Sequence, residues 1–136
     1  MTAGYSGNPL WKKLGLKEGQ TVCLMNPPED YLDLLGEGRP DVRFEYELRT
    51  GAAVYHIFSS ARAELERLLS DCLASMARDG MIWVSWPKKA SKVDTDITED
   101  VIREIALSGI LVDVKVCAVD ATWSGLKLVI RKELRQ

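Results

Sequence analysis

One histidine and three cysteines in 136 residues leave this sequence short of the imidazoles and thiols from which zinc and thiolate sites are built. Cys23, Cys72 and Cys117 are odd in number, far apart and set among apolar neighbours. With no Cys-x-x-Cys spacing and His56 alone, neither a zinc centre nor a disulfide framework is expected, and a reduced cytoplasmic setting is. Charge of one sign is also lacking. Eighteen basic residues face 20 acidic ones, a net charge of -2, so no whole-protein field would gather nucleic acid. No apolar run approaches the ~18 residues of a membrane span. Residues 1–8 show no basic stretch leading into an apolar one, so no leader is expected either. Ten glycines and five prolines are scattered rather than clustered, and repeats and low-complexity tracts are missing. What is there, 46% apolar and 28% charged residues in 15.2 kDa, is the composition of a globular chain, expected to form a single domain over 1–136.

Hydrophobic periodicity sets out the elements. Asn8 and Pro9 predict a short helix that Gly15 stops. Thr21 to Met25 is a continuous apolar run, the mark of a strand covered on both faces, and Pro27 and Pro28 end it. A helix from Pro28 to Leu35 is expected next, with Glu29 and Asp30 in its first turn. Val42 to Glu47 alternates as a half-wet strand, and Val54 to Phe58 reads as a covered one. Ser60 is the expected cap of the strongest helix, whose Leu65, Leu68, Leu69, Cys72, Leu73 and Met76 recur at helical spacing. Met81 to Trp86 is the next strand. Asp96 with Glu99 predicts a capping box for a helix over 97–108, with Thr98 a rival cap. Leu111 to Val119 and Trp123 to Lys132 then predict an antiparallel hairpin, with Val112, Val114, Val116 and Ala118 on one face of its first strand and Asp113 and Lys115 on the other.

Strands alternating with helices predict an α/β fold: three layers, a mostly parallel sheet of about six strands with helices on both faces, and a C-terminal antiparallel hairpin. Residues 48–53 are too few for a helical crossover, so strands 42–47 and 54–58 either form a hairpin or lie parallel, joined by chain that recrosses in extended form. The order of elements in the second half resembles the C-terminal part of class I S-adenosylmethionine-dependent methyltransferases, with the middle βα units of that Rossmann-like fold missing. The whole chain is similar to a family of short bacterial proteins of unknown function. Gly4-Tyr5-Ser6-Gly7 with Pro9-Leu10, Lys12-Lys13-Leu14-Gly15, Trp83-Val84-Ser85-Trp86-Pro87-Lys88-Lys89 and Trp123-Ser124-Gly125-Leu126-Lys127-Leu128-Val129 carry that resemblance. The family brings no activity with it.

The methyltransferase resemblance implies a coenzyme bound at glycines just after the first strand, where a tight turn lets the backbone approach the ligand. This chain has Asn26-Pro27-Pro28-Glu29-Asp30 there. Two prolines remove two N–H donors, and a phosphate ~5 Å from either carboxylate would meet repulsion of ~3 kcal/mol at an effective dielectric near 20. No cofactor is therefore expected. Glu45 or Glu47 stands where a ribose-binding acid would end the second strand, but without the glycine turn a solvated edge is the expected role. Asn26-Pro27-Pro28 resembles the Asn-Pro-Pro-Tyr motif of amino-methylating enzymes, but Glu29 replaces the tyrosine and the strand is the wrong one.

The remaining candidates are His56 and the segment leaving the strand of 81–86. His56 has no serine–aspartate or cysteine partner placed by sequence, so a hydrogen-bonded core histidine is expected. Trp86 offers a stacking face and Lys88 and Lys89 offer cations, with Trp123 and Ser124 brought near by the hairpin. Asp94, Asp96, Glu99 and Asp100 follow closely and defeat a nucleic-acid stripe. The expected function is a non-catalytic binding or regulatory module. Its partner would be an anionic small molecule or an acidic segment of another protein, held at Trp86, Lys88, Lys89, Trp123 and Ser124. The alternative is a small enzyme of methyltransferase or other nucleotide- or acyl-substrate type. No catalytic or metal-binding residue is assigned, and the oligomeric state is left open.

Overall fold

Apolar side chains at period two in the strands and period 3.6 in the helices sort this chain into a sheet between two helical layers. The computed structural model describes residues 8–107 and 109–135. In chain order these are α1 (Leu10–Leu14), β1 (Thr21–Met25), α2 (Tyr31–Leu35), β2 (Arg43–Glu45), β3 (Val54–Phe58) and α3 (Arg62–Ser75). They continue with β4 (Met81–Pro87), α4 (Glu99–Leu107), β5 (Leu111–Ala118) and β6 (Trp123–Ile130), with single 3₁₀ turns at Lys89–Ser91 and Lys132–Leu134. The six strands form one sheet in the order β2-β1-β3-β4-β6-β5. The first four in that order run parallel, and β6 is antiparallel to both β4 and β5. Of the segments named for the family resemblance, Gly4 to Gly7 lie outside the described residues.

Tyr55, Ile57, Ile82, Val84, Leu126 and Leu128 face one way, into a core closed by Leu65, Leu69 and Cys72 of α3 and Ile102 and Ala106 of α4. Val22, Leu24, Val54, Phe58 and Trp83 face the other way, against Leu10 and Leu14 of α1 and Tyr31 and Leu35 of α2. Gly36 permits the second layer to close. A Cβ there would sit 2.9 Å from that of Pro9, and the φ of +90° suits glycine alone.

β2 and β3 lie parallel on opposite sides of β1, so the chain recrosses without a helix. Eight residues suffice because β2 is only three residues long. The recrossing is pinned where the Tyr55 hydroxyl donates to the Arg49 carbonyl and the Gly51 N–H donates to the Ser75 carbonyl.

Four local expectations need correction. Pro9 is extended and precedes α1 rather than opening it, and Asn8 makes no cap. α2 begins at Tyr31, not Pro28, because the two prolines and Glu29 are spent on the turn; Glu29 and Asp30 are exposed and no side chain caps this five-residue helix. Asp96 caps α3 across space: its Oδ1 accepts the Arg62 N–H at 2.7 Å, while Thr95 Oγ1 donates to the Ser60 carbonyl at 2.7 Å. Ser60 is thus held through its main chain, and Thr98 caps α4 through the Val101 N–H at 3.2 Å. Lastly, the β5–β6 register shifts between Asp113 and Lys115, so Val114 is the extra residue of a bulge. Lys115 then shares a face with Val112, and Asp113 turns to the α4 side, where Arg103 Nε reaches it at 2.9 Å.

The cross-chain cap is testable. Asp96→Ala should cost about 1 kcal/mol, the usual loss for an N-cap carboxylate, and free the 92–98 loop as well as the helix. Urea unfolding would measure the cost, and faster amide exchange at Arg62 would locate it; wild-type stability would count against the cap.

Candidate functional site

Open α/β sheets bind ligands outside the carboxyl ends of their strands, where the strand order reverses. Here that point lies between β1 and β3, since β2 is laid down on one side of β1 and β3 on the other. Asn26, the first residue after β1, has φ +59°, the left-handed conformation a tight turn requires, and asparagine adopts it more readily than most non-glycine residues. So the turn exists, but it is made with a side chain. The Asn26 amide Nδ2 crosses the switch point and donates to the Phe58 carbonyl at the end of β3, at 3.3 Å. Pro27 and Pro28 follow and offer no N–H.

Beneath the turn is a sealed polar chain. His56 is wholly buried, with Nδ1 3.0 Å from the Tyr31 hydroxyl and Nε2 2.7 Å from Ser85 Oγ. Its ring stacks on Phe58 at 4.4 Å, and Tyr31 and Trp123 pack edge-on against Phe58. Burial pushes the His56 pKa down to about 3 and the Tyr31 phenol upward. The imidazole is therefore neutral, and one hydroxyl donates to it while the other accepts from it. A serine 2.7 Å from an imidazole has the reach of a nucleophile–base pair. But Ser85 is itself fully buried, a phenol rather than a carboxylate orients the histidine, and a conjugate acid with a pKa of about 3 makes a feeble base at neutral pH. The network holds β3, β4 and α2 together. His56 was legible as a core histidine, whereas nothing local in the sequence pointed to Tyr31 or Ser85 as its partners.

The cavity nearest the switch point, about 500 Å³, is lined by Pro27, Pro28, Glu29, Tyr31, Asp33 and Tyr46. Its carboxylates suit a cation better than a phosphate. Glu45 and Glu47 both pair with Arg49, at 3.1 and 3.3 Å, so the acids for which a solvated edge is expected are engaged in ion pairs there.

The second candidate region is brought together in its main chain and divided in its side chains. Trp86 pairs with Ser124 and Pro87 with Trp123 across β4 and β6, and the Lys88 N–H donates to the Thr122 carbonyl at 2.8 Å. Neighbours along a strand face opposite ways, so Trp86 enters the α3–α4 core and Trp123 the other layer. Trp86 is 7% exposed and offers no stacking face, which corrects that expectation. Lys88 is half-buried, Lys89 is exposed, and no acid pairs with either among the described residues.

Residues 52–132 match the family model described as protein of unknown function (DUF3052). The chain belongs to this family. The matched span takes in the Trp83–Lys89 and Trp123–Val129 segments, the switch-point strand β3 and both hairpin strands, whereas the Asn26 turn lies before it. No curated protein matches the chain in sequence. Among solved structures it is similar to the ribosomal protein L11 methylase of Lactobacillus delbrueckii subsp. bulgaricus, with 11% identity and a TM-score of 0.60 over 90% of this chain and 76% of that one. It is also similar to the magnesium protoporphyrin IX methyltransferase of Synechocystis PCC 6803 with bound SAM, with 13% identity and a TM-score of 0.57 over 90% and 74%. At such identities the likeness is one of fold, and the fold is methyltransferase-like.

Proposed function

We propose that this chain is a non-catalytic binding or regulatory module on a methyltransferase-like scaffold whose coenzyme seat is closed by its own turn. The observation that carries the reading is Asn26. Its side chain ties β1 to β3 across the switch point, and two prolines follow where a coenzyme would need free backbone donors. The sealed His56 supports the same reading, because the chain's only histidine is withheld from solvent. Lys88 and Lys89, at the carboxyl end of β4, are the cations nearest this end of the sheet's parallel strands to hold an anionic small molecule or an acidic segment, with Trp123 and Ser124 beside them and Trp86 packed as their support.

Isothermal titration with S-adenosylmethionine and S-adenosylhomocysteine tests the closed seat. Neither should bind at millimolar concentration, and neither should raise the melting temperature. A ligand at 100 times its dissociation constant adds ~2.7 kcal/mol, a shift of several degrees in a domain of this size. Micromolar binding of either compound, lost in Asn26→Trp, would overturn the reading and favour the enzyme.

A further inference from the structure

Arginine makes every ion pair found among the described residues; lysine makes none. Four of those lysines converge on the α1 side of the terminal hairpin. The bulge in β5 sets Lys115 directly opposite Lys127 of β6, a like-charge cross-strand pair of the kind that destabilises sheets. Lys127 is half-buried, and its pKa is held down by burial first and then by Lys115 and Lys17. Lys13 of α1 reaches β5 three residues beyond Lys115, its Nζ 3.5 Å from the Ala118 carbonyl. Lys13 and Lys115 also both act on the Cys117 thiol, although burial wins there and raises its pKa. No acid figures among the charges acting on Lys127. In a chain of net charge -2 such a grouping does not follow from composition.

We propose that this face, built by Lys13, Lys17, Lys115 and Lys127, binds a compact polyanion of the oligophosphate class. Opposed residues on neighbouring strands stand ~5 Å apart, so two ammonium groups project together from one small area. Acidic side chains on one face of an extended peptide recur only every ~6.6 Å, so they bring less charge to this area than a phosphoanhydride chain does. A phosphoanhydride chain carries charge on each phosphorus. Lysines act on it as mobile point charges, needing no bidentate geometry. A nucleic acid fits less well, because no exposed aromatic ring stands among these lysines to take a base. The site is separate from the switch point and from Lys88 and Lys89, and stands whether or not the coenzyme seat is closed.

Inorganic tripolyphosphate at low ionic strength is the probe. It should raise the melting temperature of the wild-type chain by several degrees and bind in the micromolar range by calorimetry. Lys115→Gln and Lys127→Gln should each weaken that binding at least ~10-fold. Each should also melt higher than wild type without ligand, by roughly 1–4 °C, because a like-charge pair is relieved. Arg67→Gln, an equal change of charge on α3 across the sheet, should leave both quantities as they were. Failure of tripolyphosphate to bind wild type would overturn the proposal. So would unchanged binding by Lys115→Gln, whose side chain is exposed and whose folding is safe. Equal weakening by Arg67→Gln would mean diffuse charge and no site. Binding of a single-stranded oligonucleotide with tripolyphosphate silent would replace the ligand with a nucleic acid.

Discussion

Trp83→Ala should remove about 3–5 kcal/mol of stability, a large share of the roughly 5–15 kcal/mol that holds a domain folded. Trp83 is fully buried at the middle of β4, between His56 of β3 and Lys127 of β6. Its indole Nε1 donates to the Leu14 carbonyl at 3.0 Å, a buried bond that ties α1 to the sheet. Gly125 leaves room for the ring, since a Cβ there would lie 3.3 Å from Trp83 Cε3. Truncation therefore opens a cavity and orphans a buried carbonyl together. Trp83→Phe separates the two effects, keeping most of the ring and losing the hydrogen bond, for a cost nearer 1–3 kcal/mol. Urea denaturation followed by circular dichroism gives both numbers. A loss below ~1 kcal/mol for the alanine variant would show that α1 is not anchored through this residue.

Acid should weaken the fold well before its carboxylates are protonated. In the unfolded chain His56 takes a proton near its ordinary pKa of 6.5, whereas in the fold burial holds that pKa near 3. The unfolded state therefore binds more protons between these values, and stability falls as pH drops through that window. The slope is roughly 1 kcal/mol per pH unit, about 2 kcal/mol between pH 7.5 and pH 5. Because the chain has one histidine, no other side chain of ordinary pKa titrates over the upper part of that range, and the assignment is clean. Asp113, held below the usual carboxylate range by Arg103, contributes only further down. His56→Gln should start less stable, with Tyr31 and Ser85 imperfectly partnered, and should lose the slope between pH 7 and pH 5. An equal slope in that variant, measured by urea midpoints, would show that His56 is not its source.

The order of elements and the terminal hairpin were legible because each is written locally: alternation in Trp123 to Ile130, helical spacing in Leu65, Leu69 and Cys72, stops at Gly15 and Gly109. The parallel placement of β2 and β3 around β1 stood among two options, and the brevity of β2 decided it. The oddity of the Asn26 turn was legible too, since prolines and carboxylates stand where glycines are needed.

Other features depended on residues far apart in the chain. Asp96 caps a helix that begins 34 residues before it, so its spacing to Glu99 pointed to the wrong helix. Trp86 and Trp123 share a neighbourhood but not a face, which only strand pairing reveals. Lys115 meets Lys127 because of a bulge at Val114, and a one-residue slip in a strand turns every later side chain over. Sequence by itself determined the type and order of the elements, because backbone propensity and burial pattern act within a few residues. The tertiary structure alone decided which buried polar groups meet His56, which carboxylate caps α3 and which lysines converge, because those energies arise from contacts that closing the sheet creates.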